Sequence, residues 1–267
     1  MTERLVFLKL GGSLITVKDQ PHTPRVNVLA RLVQEIAEAL AQDRELHLLL
    51  GHGSGSFGHM AASQYHTRLG VKSAEEWQGF TEVWRHAAAL NHLVMGALSQ
   101  ARLPAIAFPP SAMVMARGRQ VAQWNLEPLR AALDKGLLPV VYGDVTFDTQ
   151  LGGTILSTED LFSHLAPQLK PSQLLFAGLE PGVWADFPLC QHLLDKITPT
   201  SFSQASSGLK GSSATDVTGG MLDKVRQVIG LVGELPGLKG MIFSGEVAGN
   251  VHRALLGEQL GTIIRER

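Results

Sequence analysis

The chain has 267 residues, 45% of them apolar and 18% charged, with a net charge of −1. That apolar share supplies a sizeable core, and the low charge argues against extensive disorder. The balanced charge gives no general attraction to nucleic acid or anionic membranes, and the single Cys190 excludes a disulfide framework and a multi-cysteine metal site.

In chain order, residues 5–10 predict a first strand, short and broken by Lys9, so a strand rather than a signal peptide. It runs into a glycine turn, Gly11-Gly12-Ser13, and then a polar loop over 16–25 that carries Lys18. Residues 27–42 have helical spacing, with Leu29, Leu32, Val33, Ile36 and Leu40 on one face. A buried strand at 48–50 opens the glycine-rich loop, and a helix begins near 60. Residues 73–100 predict a long helix. Then come a short strand at 105–108, a hairpin strand at 120–125, a helix at 126–135 and a strand at 137–141. A hairpin or loop spans 146–155, and Ser157 to Asp160 start a capped helix to 169. A strand at 173–177, loops at 181–199 and 203–216, a helix at 222–231, a strand at 240–243, a short helix at 251–256 and a strand at 261–264 complete the reading. Strands alternating with helices imply a mainly parallel sheet covered on both faces, with ligands beyond the carboxyl ends of the strands. No run reaches membrane-spanning length, which predicts a soluble cytoplasmic protein.

The chain is organised around Leu48-Leu49-Leu50-Gly51-His52-Gly53-Ser54-Gly55-Ser56-Phe57-Gly58-His59, with four glycines in eight residues. Such a loop lets backbone N–H groups approach an anion, and a following helix start adds positive potential. The common P-loop spacing is absent, and Gly53-Ser54-Gly55-Ser56-Phe57-Gly58 matches a dinucleotide motif in letters only. No zinc or nucleophilic-triad spacing occurs. Instead, glycine turns recur beside lysines: Lys9 with Gly11-Gly12, Lys18 shortly after, and Lys224 after Gly219-Gly220. Phosphoryl transfer needs this combination of backbone donors and cations. His52 reads as structural, and Cys190 as an ordinary thiol.

Lys9-Leu10-Gly11-Gly12-Ser13, the 52–59 loop, Tyr142-Gly143-Asp144-Val145, and Asp216-Val217-Thr218-Gly219-Gly220-Met221 with Lys224 stand in the order found in the amino acid kinase superfamily. The chain resembles that superfamily over essentially its whole length. Within it, the chain is most similar to the isopentenyl phosphate kinases, through Ser13-Leu14-Ile15-Thr16 with Lys18, the loop ending in His59, and Gly143-Asp144-Val145 with Ile155-Leu156-Ser157.

The resemblance implies one amino acid kinase domain over 1–267, a three-layer α/β/α sandwich. The part before about residue 170 would bind mainly the acceptor, and the part after it mainly ATP. It implies ATP and Mg²⁺ as cofactors, isopentenyl phosphate as acceptor in isoprenoid precursor synthesis, no protein side chain as metal ligand, and a homodimer. Lys9 and Lys224 would hold the ATP phosphates with Gly11, Gly12, Ser13, Ser54, Gly178, Asp216, Gly219 and Gly220. Lys18 would stabilise the transferring phosphoryl group. His59 would hydrogen-bond the acceptor phosphate, with Gly53, Ser54 and Gly58 lining its pocket. Asp160 would orient the lysines, with Asp144 as a second candidate. Gly152 and Gly153 would border the acceptor, and Phe80 and Trp84 would close its apolar end. One departure is the run Leu179-Glu180-Pro181-Gly182-Val183-Trp184, which lacks the aspartate usual in the nucleotide loop. Two further readings stay open: a phosphonate acceptor such as fosfomycin, and a nucleotide-binding regulator without turnover.

Overall fold

The structure, a computed structural model, describes residues 4–205 and 220–267, without the side chains of 59–61 and 203–205. The first part of the chain forms β1 (Arg4–Leu10), α1 (Gly12–Ile15), α2 (Val26–Gln42), β2 (Leu46–His52), α3 (Gly55–Gln64), a 3-10 turn (Thr67–Leu69) and α4 (Ala74–Gln100). Next come β3 (Ala105–Ala107), α5 (Pro110–Met113), β4 (Val114–Arg117), β5 (Gln120–Trp124), α6 (Glu127–Asp134) and β6 (Leu138–Tyr142). The hairpin β7 (Asp144–Asp148) and β8 (Gly152–Leu156) leads into α7 (Thr158–Leu169) and β9 (Gln173–Gly178). The short strands β10 (Val183–Trp184), β11 (Leu193–Leu194) and β12 (Lys196–Ile197) precede α8 (Pro199–Ala205). The chain finishes with α9 (Gly220–Glu234), β13 (Lys239–Ser244), α10 (Asn250–Leu255) and β14 (Thr262–Ile264).

The main sheet has the order β12-β14-β13-β9-β1-β2-β6-β3, and within it only the β13–β14 pair is antiparallel. Alternation along its strands builds two cores. Val6, Leu8 and Leu10 of β1 pack with Leu29, Leu32 and Ile36 of α2, Leu90 and Val94 of α4, and Val251 of α10. Phe7, between them, packs on the opposite face with Phe162 of α7, Val225 of α9 and Leu129 of α6. The same switch recurs at Leu48, Leu49 and Leu50 of β2 and at Leu174, Leu175 and Phe176 of β9. Strands buried on both faces need continuous apolar runs, which is why these segments read as unbroken hydrophobic stretches. Each fully buried Leu or Phe contributes about 1.5–3 kcal/mol. The three-layer sandwich expected from the sequence is therefore present.

Two features differ from the sequence reading. A second sheet, in the order β5-β4-β7-β8, stands apart from the main one, and the four-residue β4 was not expected. The glycine-rich loop is also shorter than its composition suggests, because α3 begins at Gly55 rather than near 60. Gly55 has φ +49°, and an added Cβ there would meet Thr16 Oγ1 at 2.2 Å and Gly12 O at 2.6 Å. The chain therefore turns within two residues of β2 and enters the helix at once.

Candidate active site

β1, β2, β6, β9 and β13 run parallel, so their carboxyl ends meet at one edge of the sheet. At that edge lies a cavity of about 610 Å³. Its floor is made by two glycine turns in backbone contact: a Cβ on Gly12 would stand 2.4 Å from Gly55 N. Thr16 links the two turns, its hydroxyl donating to Gly12 O at 2.9 Å and accepting from Ser56 N at 3.0 Å. The first residues of α3, α7 and α9 also line the cavity. Helix starts carry N–H groups without intrahelical partners and a partial positive charge, so three of them facing one space suit an anion.

The charged centre is Lys9, which forms a buried ion pair with Glu159. Their side chains are each 11% exposed. Residue alternation along β1 puts Lys9 on the same face as Phe7, the face covered by α7 and α9. Gly51 is the cross-strand neighbour of Lys9, and a Cβ there would strike Thr158 and Phe162 of α7. The missing side chain lets the first turn of α7 settle onto β2, where Thr158 Oγ1 donates to His52 O at 2.6 Å. That seating brings Glu159 to Lys9. Burial pushes the Glu159 carboxyl up, but the Lys9 and Lys224 charges outweigh it and hold the group below the usual carboxylate range. Glu159 Oε2 is buried and has no hydrogen-bond partner.

Lys9, Gly11, Gly12, Ser13, Lys18, Gly53, Ser54, Gly178, Gly220 and Lys224 all line this one cavity, as the sequence analysis expected of a shared site. Lys18 sits in the exposed loop at its rim. Asp216 and Gly219 lie outside the described residues. His59 lies in α3, but its side chain is also outside them. Gly58 packs under Ser54, where a Cβ would stand 2.6 Å from Ser54 Oγ.

Other expected positions fall elsewhere. Asp160 closes the capping box of α7 with Ser157 and meets Arg68 and Gln227. The carboxylate beside Lys9 is its neighbour Glu159, because one helical residue turns a side chain by about 100°. Asp144 is buried away from the cavity lining, where it accepts from Val145 N at 2.8 Å and Ser111 N at 3.4 Å. Burial pushes its carboxyl up to about 6. Phe80 is buried in a small apolar cluster with the half-buried Trp77, and its ring also meets the exposed Phe147, the ring centroids 5.1 and 5.4 Å away. Gly153 is pressed against Phe80, where a Cβ would stand 2.9 Å from the ring, and Gly152 against the Val71 carbonyl. Trp84 is 47% exposed and outside that cluster. His52 is structural, as expected: it is buried, stacks on Tyr142 and meets Asn91 Oδ1 at 3.2 Å, and burial lowers its imidazole pKa.

Sequence reasoning missed Glu159, Thr16 and Gly51. The available signals were two adjacent acids in a first turn, a hydroxyl one turn after Gly12, and a glycine ending an apolar strand. The atypical loop after β9 also borders the cavity through Leu179, Glu180, Gly182, Val183 and Trp184. It is anchored by Thr262, whose Oγ1 accepts from Val183 N at 2.7 Å, and Trp184 Nε1 donates to Glu180 at 2.9 Å.

The model of the amino acid kinase family matches residues 4–244. The chain belongs to this family. This amino acid kinase is similar to the isopentenyl phosphate kinase of Methanocaldococcus jannaschii, with 31% identity over 97% of the chain and 98% of that protein. It is also similar to the isopentenyl phosphate kinase of Methanothermobacter thermautotrophicus, with 34% identity over 96% of the chain and 97% of that protein. A solved isopentenyl phosphate kinase superposes on it with a TM-score of 0.82 and 30% identity, covering 98% of this chain and all of that one. Among the described residues no helix is long and apolar enough to cross a membrane.

Proposed function

We propose that this kinase transfers the γ-phosphoryl group of ATP to isopentenyl phosphate, giving isopentenyl diphosphate and ADP. The observation that carries the reading is the Lys9–Glu159 pair set among glycine turns and helix starts in one cavity. Near-full-length similarity to isopentenyl phosphate kinases supports the acceptor.

In this reading the segment after about residue 170 holds the nucleotide, and the segment before it holds the acceptor. The N–H groups of Gly12 and Ser13 and the first turn of α9 bind the ATP phosphates, while Gly11 N donates to Ala177 O at 2.8 Å and so fixes the turn on β9. Lys9 and Lys224 neutralise charge there, with Glu159 fixing the direction of the Lys9 ammonium. His59 and the first turn of α3 hold the acceptor phosphate, so that its oxygen attacks the γ-phosphorus as the bond to the β-phosphate oxygen breaks. Lys18 meets the charge that develops on the moving group. Positioning and charge account for the rate, and no covalent enzyme intermediate is needed.

The Mg²⁺ ion enters as part of the nucleotide substrate. Among the described residues no cluster of three His, Cys, Asp or Glu side chains could cage a cation. The buried carboxylate of the cavity is engaged by Lys9. Mg²⁺ is commonly held by phosphate oxygens and water, which fits this donor set. A homodimer is also proposed, supported by the open edge strand β3 with Ile106 42% exposed; molar mass from light scattering tests it.

The test is an acceptor panel with ATP and Mg²⁺, comprising isopentenyl phosphate, other phosphate monoesters and phosphonates such as fosfomycin. ADP release and the ³¹P spectrum of the product are read. Isopentenyl diphosphate is expected as the preferred product. Preferential turnover of a phosphonate would overturn the acceptor, and no turnover of any acceptor would overturn the reaction.

A further inference from the structure

Asp160 divides its two oxygens between distant parts of the chain. Oδ2 accepts from Ser157 N at 2.8 Å and stands 3.4 Å from Arg68 Nη2. Oδ1 accepts from Gln227 Nε2 at 3.1 Å. Arg68 belongs to the 3-10 turn tied to β8, where Thr154 Oγ1 donates to Arg68 O at 2.9 Å and Arg68 Nη1 reaches Ile155 O at 3.5 Å. Gln227 lies in α9, three residues beyond Lys224, and both line the cavity. Residues three apart are neighbours on one helix face.

The chemistry of the contacts fixes their sense. An ionised carboxylate only accepts, so the Gln227 amide must turn its nitrogen to Asp160. Its Oε1 is then buried without a partner. The orientation of a side chain beside Lys224 thus depends on where Asp160 stands. Arg68 and Asp160 are each 17% exposed, so water screens them weakly. Their 3.4 Å separation is longer than the 2.7–2.9 Å common for charged pairs, which leaves travel for the contact to close.

We propose that Arg68, Asp160 and Gln227 form a positioning relay that makes acceptor binding and nucleotide binding cooperative. The proposal rests on the two-sided reading of the cavity given above. An acceptor seated against the β8 side draws Arg68 toward Asp160. Asp160 stands in the first turn of α7 beside Glu159, and it carries the tethered turn of α9 that presents Lys224. Linkage makes the effect reciprocal: nucleotide must tighten acceptor binding by the same factor.

Calorimetry tests this with the non-hydrolysable nucleotide AMP-PNP, titrated with and without saturating isopentenyl phosphate. The wild type is expected to bind AMP-PNP about fivefold or more tightly when the acceptor is present. In folded Arg68→Met and Gln227→Leu proteins that ratio falls toward one, and the double variant loses no more than either single one. In Arg68→Met, whose site is outside the cavity lining, AMP-PNP affinity without acceptor changes little, which a merely structural defect would not spare. Arg68→Lys and Gln227→Met serve if the first pair fail to fold, and Arg68→Lys restores part of the ratio. A wild-type ratio of one, an unchanged ratio in the variants, or independent losses that add would each overturn the relay. If the panel identifies another acceptor, the acceptor assignment fails while the relay is judged by the same ratio measured with that acceptor.

Discussion

Replacing Glu159 by Gln keeps the size and first-turn position of the side chain but removes the charge that faces Lys9. Both partners are 11% exposed, so the change is felt in a poorly screened site. At an effective dielectric of about 20, opposite charges about 4 Å apart attract by about 4 kcal/mol. Desolvation costs several kcal/mol for each ion, so the intact pair adds little net stability. Breaking a buried pair outright costs about 3–5 kcal/mol, because the remaining charge is stranded. The Gln oxygen still accepts from the ammonium, a contact of about 1.5–3 kcal/mol. The expected loss in stability is therefore about 1–3 kcal/mol. Catalysis should suffer more: without its charged partner the Lys9 ammonium is no longer held in one direction. A fall in kcat of about 100-fold is expected, the scale of one misplaced transition-state donor. Nucleotide affinity should hold or improve, since a negative charge beside the phosphates has gone. Initial rates of ADP release and ATP calorimetry measure the two halves. Wild-type kcat in a folded Glu159→Gln protein would refute the orienting role. So would a loss of ATP affinity equal to the loss of rate.

Lys9→Ala, Lys18→Ala and Lys224→Ala should each lower kcat by about tenfold to a thousandfold; full activity in Lys18→Ala would remove that exposed residue from the mechanism. His59→Ala should nearly abolish transfer to isopentenyl phosphate and leave ATP binding almost intact, with His59→Gln retaining more activity; equal loss of ATP affinity in calorimetry would move the histidine to the nucleotide side. Asp144 has its carboxyl pushed up to about 6 by burial, so the folded protein holds a proton that the unfolded chain releases near the ordinary aspartate value of 3.8. Its stabilising contribution is present below about pH 4, is lost as pH rises through about 6, and amounts to about 3 kcal/mol at most. Asp144→Asn should flatten that decline in urea melts across the window, and identical slopes in the two proteins would count against the buried-carboxyl account.

The sequence by itself determined the layers. Val6, Leu8 and Leu10 alternate with Phe7 and Lys9, and a strand's period of two sends these sets to opposite faces whatever surrounds them. The apolar spacing in α2 and the capping box at Ser157 and Asp160 are equally local, so both helices were legible. The glycine turns were legible for the same reason, since only a residue without a side chain permits the approach of Gly12 to Gly55. Tertiary structure decided which carboxylate meets Lys9. Glu159 and Asp160 are adjacent acids in one helical turn, and their roles separate only when Gly51 opens β2 to α7 and sets the rotation of that helix on the sheet. It also decided that Phe80 and Gly153 touch each other, because α4 and β8 are distant in sequence and nothing in either segment records the other's packing. Periodicity reports the face on which a residue lies; the partner across that face depends on how whole elements dock.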